Sequence, residues 1–118
     1  MNAQGTGRFL HDSMEARAIT AVFGKGLPAV SSTKPVTGHT LGAAGALELG
    51  LCWMSLAEGR GLPPHLWDGE YDPEMPRLVF AAPDTGLKSP AVCMSNSFAF
   101  GGCNVSLILG RIDYEDRS

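Results

Sequence analysis

Clustered positive charge is what this 118-residue chain most plainly lacks: no basic run exceeds two residues, and the formal charge is -3. That argues against a nucleic-acid partner, which calls for a concentrated basic patch. A long hydrophobic run is missing as well. The most apolar stretch, Leu41 to Ala57, is interrupted by Glu48 and is short for a bilayer span, so no membrane association is expected. The chain does not open on a charged segment followed by an apolar one, and no secretory signal is read. Cysteine is sparse and odd in number. Cys52, Cys93 and Cys103 have no metal-ligand spacing, which excludes a disulfide framework and points to reduced thiols in a cytoplasmic protein. Internal repeats and low-complexity tracts are absent. What remains is ordinary for a folded domain: 44% hydrophobic residues, 18% charged, and enough chain for one modest core. No linker divides it, so residues 1–118 are read as a single unit.

Apolar recurrence at positions 14, 18, 19, 22 and 23 predicts a helix over Met14 to Phe23, capped by Asp12 or Ser13 and stopped by Gly24 and Gly26. Leu27 to Thr33 reads as a short strand. A second helix is expected from Leu41 to Glu58, apolar on nearly all sides and therefore buried. Gly42 and Gly45 inside it each cost about 1 kcal/mol relative to alanine, which predicts close approach of another backbone. Residues 62 to 90 hold six of the eight prolines and read as a long surface connection, with a short strand at Leu78 to Phe80. Val92 to Ser95 and Val105 to Leu109 read as strands, joined by a glycine-rich aromatic loop from Asn96 to Asn104. Cys52, Cys93, Trp53, Trp67 and Phe98 read as packing groups. His65 reads as structural and His11 as a surface residue, and Ile112 to Ser118 forms a polar tail.

The densest information lies in Ser31 to Gly45, Ser-Ser-Thr-Lys-Pro-Val-Thr-Gly-His-Thr-Leu-Gly-Ala-Ala-Gly. It sets Lys34 and His39 five residues apart, in a loop running into a helix. A polar pair on a rigid frame is what an enzyme site requires. An inward lysine needs an anionic partner.

Four segments together resemble the carboxy-terminal part of β-ketoacyl-acyl-carrier-protein synthases, condensing enzymes of the thiolase-like superfamily. Asn2-Ala3-Gln4-Gly5-Thr6 is similar to the family's Asn-Ala-His-Gly-Thr. Asp12 through Phe23 resembles the helix after it, including an acidic residue at Glu15. Ser31 to Gly45 resembles the Lys-x-x-x-Gly-His loop and its helix. Ser95 to Gly102 resembles Ser-Asn-Ser-Phe-Gly-Phe-Gly-Gly, with Ala99 in place of a glycine; Cys103 stands where the family has threonine. The resemblance covers residues 2 to 111. It implies an α/β, thiolase-like fold: part of a carboxy-terminal half with a mixed sheet and a buried Gly/Ala-rich helix. The family's sheet order is 3-2-1-4-5, and this chain would supply strands 3, 4 and 5 and the end of strand 2. The amino-terminal half, with its nucleophilic cysteine, and the first strands of this half are expected to be missing.

The implied reaction is a decarboxylative Claisen condensation of an acyl thioester with malonyl-acyl carrier protein, in fatty-acid, polyketide or polyene synthesis. His39 matches the histidine that donates to the thioester oxygen; a position ahead of a helix N-terminus disfavours imidazolium and suits a neutral donor. Lys34 matches the family lysine, with Glu15 as its partner by resemblance. Phe100 matches the aromatic gate whose backbone N–H contributes to the oxyanion hole. Thr33 and Thr37 are implied contacts for the phosphopantetheine arm of acyl carrier protein. Gln4 departs from the family: an amide donates hydrogen bonds but does not titrate. His39, Lys34 and Phe100 are expected around one hollow. No bound cofactor and no metal are implied. The partners implied are acyl carrier protein and a second subunit, as homodimer or pseudo-symmetric heterodimer. Arg8, Arg17, Lys25 and Arg60 define no basic docking patch. Two other readings stand beside this one: a non-condensing subunit of the chain-length-factor type, which Gln4 favours, and a small α/β interaction module with a structural His39.

Overall fold

A sheet with one helix on each face organises the chain. The structure is a computed structural model and describes residues 1–59, 61, 63–82 and 90–112. Helix α1 is Phe9–Phe23, strand β1 Ala29–Val30, helix α2 Lys34–Thr37 and helix α3 Ala44–Ala57, entered through a 3₁₀ turn at Leu41–Ala43. Strands β2 (Val79–Phe80), β3 (Val92–Phe98) and β4 (Asn104–Gly110) follow, with a second 3₁₀ turn at Phe100–Gly102 between the last two. Arg60 and the tail beyond Ile112 lie outside the described residues. Among the described residues no helix is long and apolar enough to cross a membrane.

β1 pairs parallel with β2, and β3 pairs antiparallel with β4. The segment Met1–Ala3 joins these two ladders. Asn2 bridges Ser31 on one side and Ser95 on the other, both parallel. Its N–H donates to the Met94 carbonyl and its own carbonyl accepts from Asn96 N–H, while Ala3 N–H donates to Ser31. The result is a mixed sheet in which residues 1–3 lie directly between the 29–31 and 93–96 segments.

Side-chain alternation then assigns the two faces. Met1, Ala3 and Val30 pack with Ile19 of α1, joined by half-buried Leu27, Leu78, Phe80 and Met94. Cys93 packs on Cys52 and Leu56 of α3. Both cysteines are therefore core groups, as expected, and burial pushes the Cys52 thiol up to about 11. Cys103, in contrast, is exposed.

Several boundaries differ from the sequence reading. α1 begins at Phe9, five residues early, and Leu10 continues the helical spacing one turn ahead of Met14. Its N-cap is Arg8, without a side-chain bond; Asp12 instead accepts the Thr6 N–H. Gly24 ends α1 with φ 54° and its N–H on the Thr20 carbonyl, a positive φ that glycine adopts without strain. β3 continues to Phe98, so the aromatic loop is shorter than expected. α3 is buried on one face only. Trp53 is 62% exposed and Leu47 and Met54 are exposed with it, so the expectation of all-round burial, and of Trp53 as a packing group, does not hold in this chain. The expected close approach of another backbone is found at neither glycine: a Cβ on Gly45 would meet the Ser97 side chain, Oγ at 3.3 Å, and nothing lies within 4 Å at Gly42.

Candidate functional site

The first residues of interest lie where the 1–3 segment leaves the sheet. At Gly5 (φ 42°) the backbone turns, and a Cβ there would collide with Ser32 Oγ at 2.5 Å. The turn withdraws the Gln4 and Gly5 N–H groups from the sheet. Glu15 receives them: Gln4 N–H lies 3.2 and 3.0 Å from its two oxygens and Gly5 N–H 3.4 Å from one. Asn96 Nδ2 donates to the same carboxylate at 3.1 Å, and Ser106 Oγ donates to Asn96 Oδ1 at 2.8 Å. This chain of bonds ties α1, the 2–6 loop, β3 and β4 together. Burial raises the Glu15 pKa, against the opposing pull of its hydrogen-bond donors. Desolvation outweighs the donors because none of them carries a charge.

Gln4 does not face outward. Its Nε2 donates to the Phe98 carbonyl at 2.6 Å, and its Oε1 accepts the Phe98 N–H at 3.2 Å. The side-chain amide pairs with the main chain at the last residue of β3.

Lys34 is buried as the sequence predicts, but its partner is not Glu15. Its ammonium pairs with Glu48 of α3, and both side chains are buried, at 7% and 3% exposure. Glu15 is already committed to three N–H groups on the other face of the sheet, which explains the correction. The signal for Glu48 was available. A carboxylate inside an apolar helix demands a cation, and Lys34 was the inward cation in reach. α2 itself, with Pro35 near its start, was not foreseen; the fixed φ of proline suits the first helical turn.

His39 is exposed and follows Gly38, whose φ is 73°. It precedes Thr40, the N-cap of the 3₁₀ turn that runs into α3. Leu41 next to it holds φ 52°, a left-handed value that a branched side chain adopts only under strain. Phe100 stands 88% exposed at the tip between β3 and β4, where Gly101 and Gly102 have φ 82° and 83°. The expected hollow around His39, Lys34 and Phe100 is not formed in this chain. Glu48 draws Lys34 inward, while the other two side chains project outward. What links their loops is the start of α3, which rests at Gly45 against Ser97 of β3.

Two cavities are lined by other residues. A small one, of about 10 Å³, lies against Asn2, Ser31, Thr33 and Cys52. The hydroxyl of Thr33 is buried without a hydrogen-bond partner among the described residues, so it is not presented at the surface. Thr37 is half-buried, with its hydroxyl 3.2 Å from the Thr33 carbonyl and 3.0 Å from that of Gly38. A larger cavity, of about 460 Å³, lies between α1 and the 65–80 connection. There His65 stacks on Phe80 at 4.3 Å and its Nδ1 accepts the Ser32 N–H at 3.1 Å. Burial lowers its pKa, which keeps it neutral and fits the structural role read for it. Trp67 packs on Phe80 as well, at 4.7 Å.

Comparison with known proteins follows this geometry. Residues 1–66 match the C-terminal domain of β-ketoacyl synthases. Nodulation protein E of Rhizobium leguminosarum bv. trifolii is 40% identical over 114 residues, covering 95% of this chain and 28% of that protein. The 3-oxoacyl-[acyl-carrier-protein] synthase 1 of Escherichia coli (strain K12) is 38% identical over 112 residues, covering 95% of this chain and 27% of the relative. Synthase 2 of Coxiella burnetii is 41% identical over 114 residues, with 95% and 27% covered. The chain thus spans about a quarter of the length of the curated relatives it matches.

Proposed function

The chain belongs to the β-ketoacyl synthase C-terminal-domain family, and on that premise we propose that it is part of a 3-oxoacyl-[acyl-carrier-protein] synthase with a thiolase-like fold. The supporting observation is that similarity to proteins named as such synthases runs over 95% of the chain. It therefore extends past the match at 1–66 to the 95–102 motif. These names favour a condensing enzyme over a chain-length-factor subunit or an interaction module.

In this reading a cysteine outside the chain holds the acyl group as a thioester. Malonyl-acyl carrier protein loses carbon dioxide, the resulting carbanion attacks the acyl carbon, and the cysteine thiolate leaves. Negative charge collects on thioester oxygens in both steps, and preorganised donors aimed at that charge are what the protein must supply. His39 donates from its loop ahead of α3. Phe100 gates the acyl pocket, and its backbone N–H serves the second oxyanion. Lys34, fixed by Glu48, anchors the start of the loop that carries His39. Glu15 holds the 2–6 loop, with Gln4 in the position of the family's second histidine. The phosphopantetheine arm of acyl carrier protein delivers the substrate, with Thr37 the accessible contact of the Thr33–Thr37 pair. The intact enzyme is read as cytoplasmic and as a homodimer or pseudo-symmetric heterodimer.

The test is to incubate the protein that carries this chain with an acyl thioester and malonyl-acyl carrier protein, and to follow 3-oxoacyl product and carbon dioxide together. Equal amounts of both are expected. Carbon dioxide without condensed product, or neither, would overturn the condensing reading in favour of a binding subunit.

A further inference from the structure

We infer that Gln4 is a positioning residue that latches the base of the Phe98–Gly102 loop, and that its amide is not aimed at substrate. The hydrogen-bond register of the sheet points to this role. Asn2 pairs with β3 as a parallel strand does, its N–H on the Met94 carbonyl and its carbonyl on the Asn96 N–H. In a parallel ladder the partners advance two residues at a time. The next rung would therefore put the carbonyl of residue 4 on the N–H of Phe98. The backbone does not make that rung. At Gly5 the chain turns under Ser32, and the residue 4 N–H is delivered to Glu15.

Gln4 replaces the lost rung with its side chain. Oε1 takes the Phe98 N–H, and Nε2 meets the Phe98 carbonyl. A primary amide suits this because it carries donor and acceptor on one carbon, as a peptide group does. In an imidazole the N–H and the acceptor lone pair diverge from each other, whereas in a primary amide they run side by side, so the ring does not close the same two-bond contact. The consequence is mechanical. Phe98 is held at both main-chain groups, so motion of Phe100 is confined to Ala99–Gly102, where two glycines have left-handed φ. Ala99 N–H on the Cys103 carbonyl, at 2.8 Å, closes the other side of the turn.

The functional half of this inference rests on the proposed synthase reading, in which Phe100 gates the acyl pocket. The structural half does not, and the experiment separates them. Amide hydrogen exchange is followed by mass spectrometry in peptides spanning residues 95–101 of the protein that carries this chain, for wild type, Gln4→Ala and Gln4→Glu. Gln4→Ala is expected to speed exchange at Phe98 about five- to tenfold, the loss of one ordinary hydrogen bond. Gln4→Glu keeps an acceptor for that N–H and is expected to restore protection as pH falls and the carboxyl regains a donor for the Phe98 carbonyl. In turnover, Gln4→Ala is expected to lower kcat and raise KM for the acyl donor together, each by less than about tenfold, because the loosened loop carries both the gate and the Phe100 N–H. Unchanged Phe98 exchange in both variants would overturn the latch. A fall in kcat of a hundredfold with unchanged exchange would instead make Gln4 a substrate-contacting residue. Altered exchange in a protein without turnover would keep the latch and remove the synthase reading.

Discussion

Two helices of this chain each bury a glutamate, and the two carboxylates are satisfied by opposite means. On the α1 face, Glu15 collects neutral donors from Gln4, Gly5 and Asn96. On the α3 face, Glu48 meets the Lys34 ammonium. The first arrangement shapes backbone: it fixes a turn and, through that turn, the side chain of Gln4. The second fixes a charge: it commits Lys34 to the interior and so anchors the segment leading to His39. The exposed groups, His39 and Phe100, are carried by loops rooted in these two knots. Glu15 has no countercharge, and burial raises its pKa.

The largest effect that would break this comparison is at the ion pair. Lys34→Met leaves Glu48 charged, buried and unpaired, and is expected to cost about 3–5 kcal/mol in chemical unfolding. The double variant Lys34→Met, Glu48→Leu is expected to recover most of that loss. A cost below about 1 kcal/mol for the single variant would show that the pair is solvated.

Glu15 sharpens the comparison by pH. A raised pKa means that the fold binds the proton more tightly than the unfolded chain does. The stability this provides is fully present below the ordinary glutamate value of 4.5 and is lost as pH rises through the raised value. Unfolding followed from pH 4 to 8 is expected to show this decline, and Glu15→Gln to flatten it. Glu15→Gln is expected to change stability at neutral pH by only about 1–3 kcal/mol, less than Lys34→Met, because one amide oxygen still accepts from the 4–5 turn. A decline that persists in Glu15→Gln would place its origin elsewhere.

The sequence made the local features legible and left the contacts between distant segments unread. Gly24 as a helix stop, a glycine-rich loop between the last two strands, and Cys52 and Cys93 as core all follow from single-residue physics, and the structure agrees. The motif at 31–45 identified Lys34 and its need for an anion. It does not identify Glu48, because apolar recurrence reports the buried side of a helix and is silent about a carboxylate set among those residues. The Gln4–Phe98 contact spans 94 residues and depends on a turn at Gly5 that no periodicity reports. The start of α1 is not legible because Arg8 caps it without a side-chain bond and Asp12, the residue that reads as a cap, binds the Thr6 N–H instead. All-round burial of α3 was expected from composition, but composition does not say how many of a helix's faces have neighbours.

The central claim is that the loop between the two knots brings an imidazole donor to a reacting thioester. Condensation by the protein that carries this chain, compared between wild type and His39→Ala, tests it most directly. In His39→Ala kcat is expected to fall about 10²–10³-fold, the usual effect of losing one oxyanion donor, with the folded state unchanged because His39 is exposed. Full turnover in His39→Ala would contradict it.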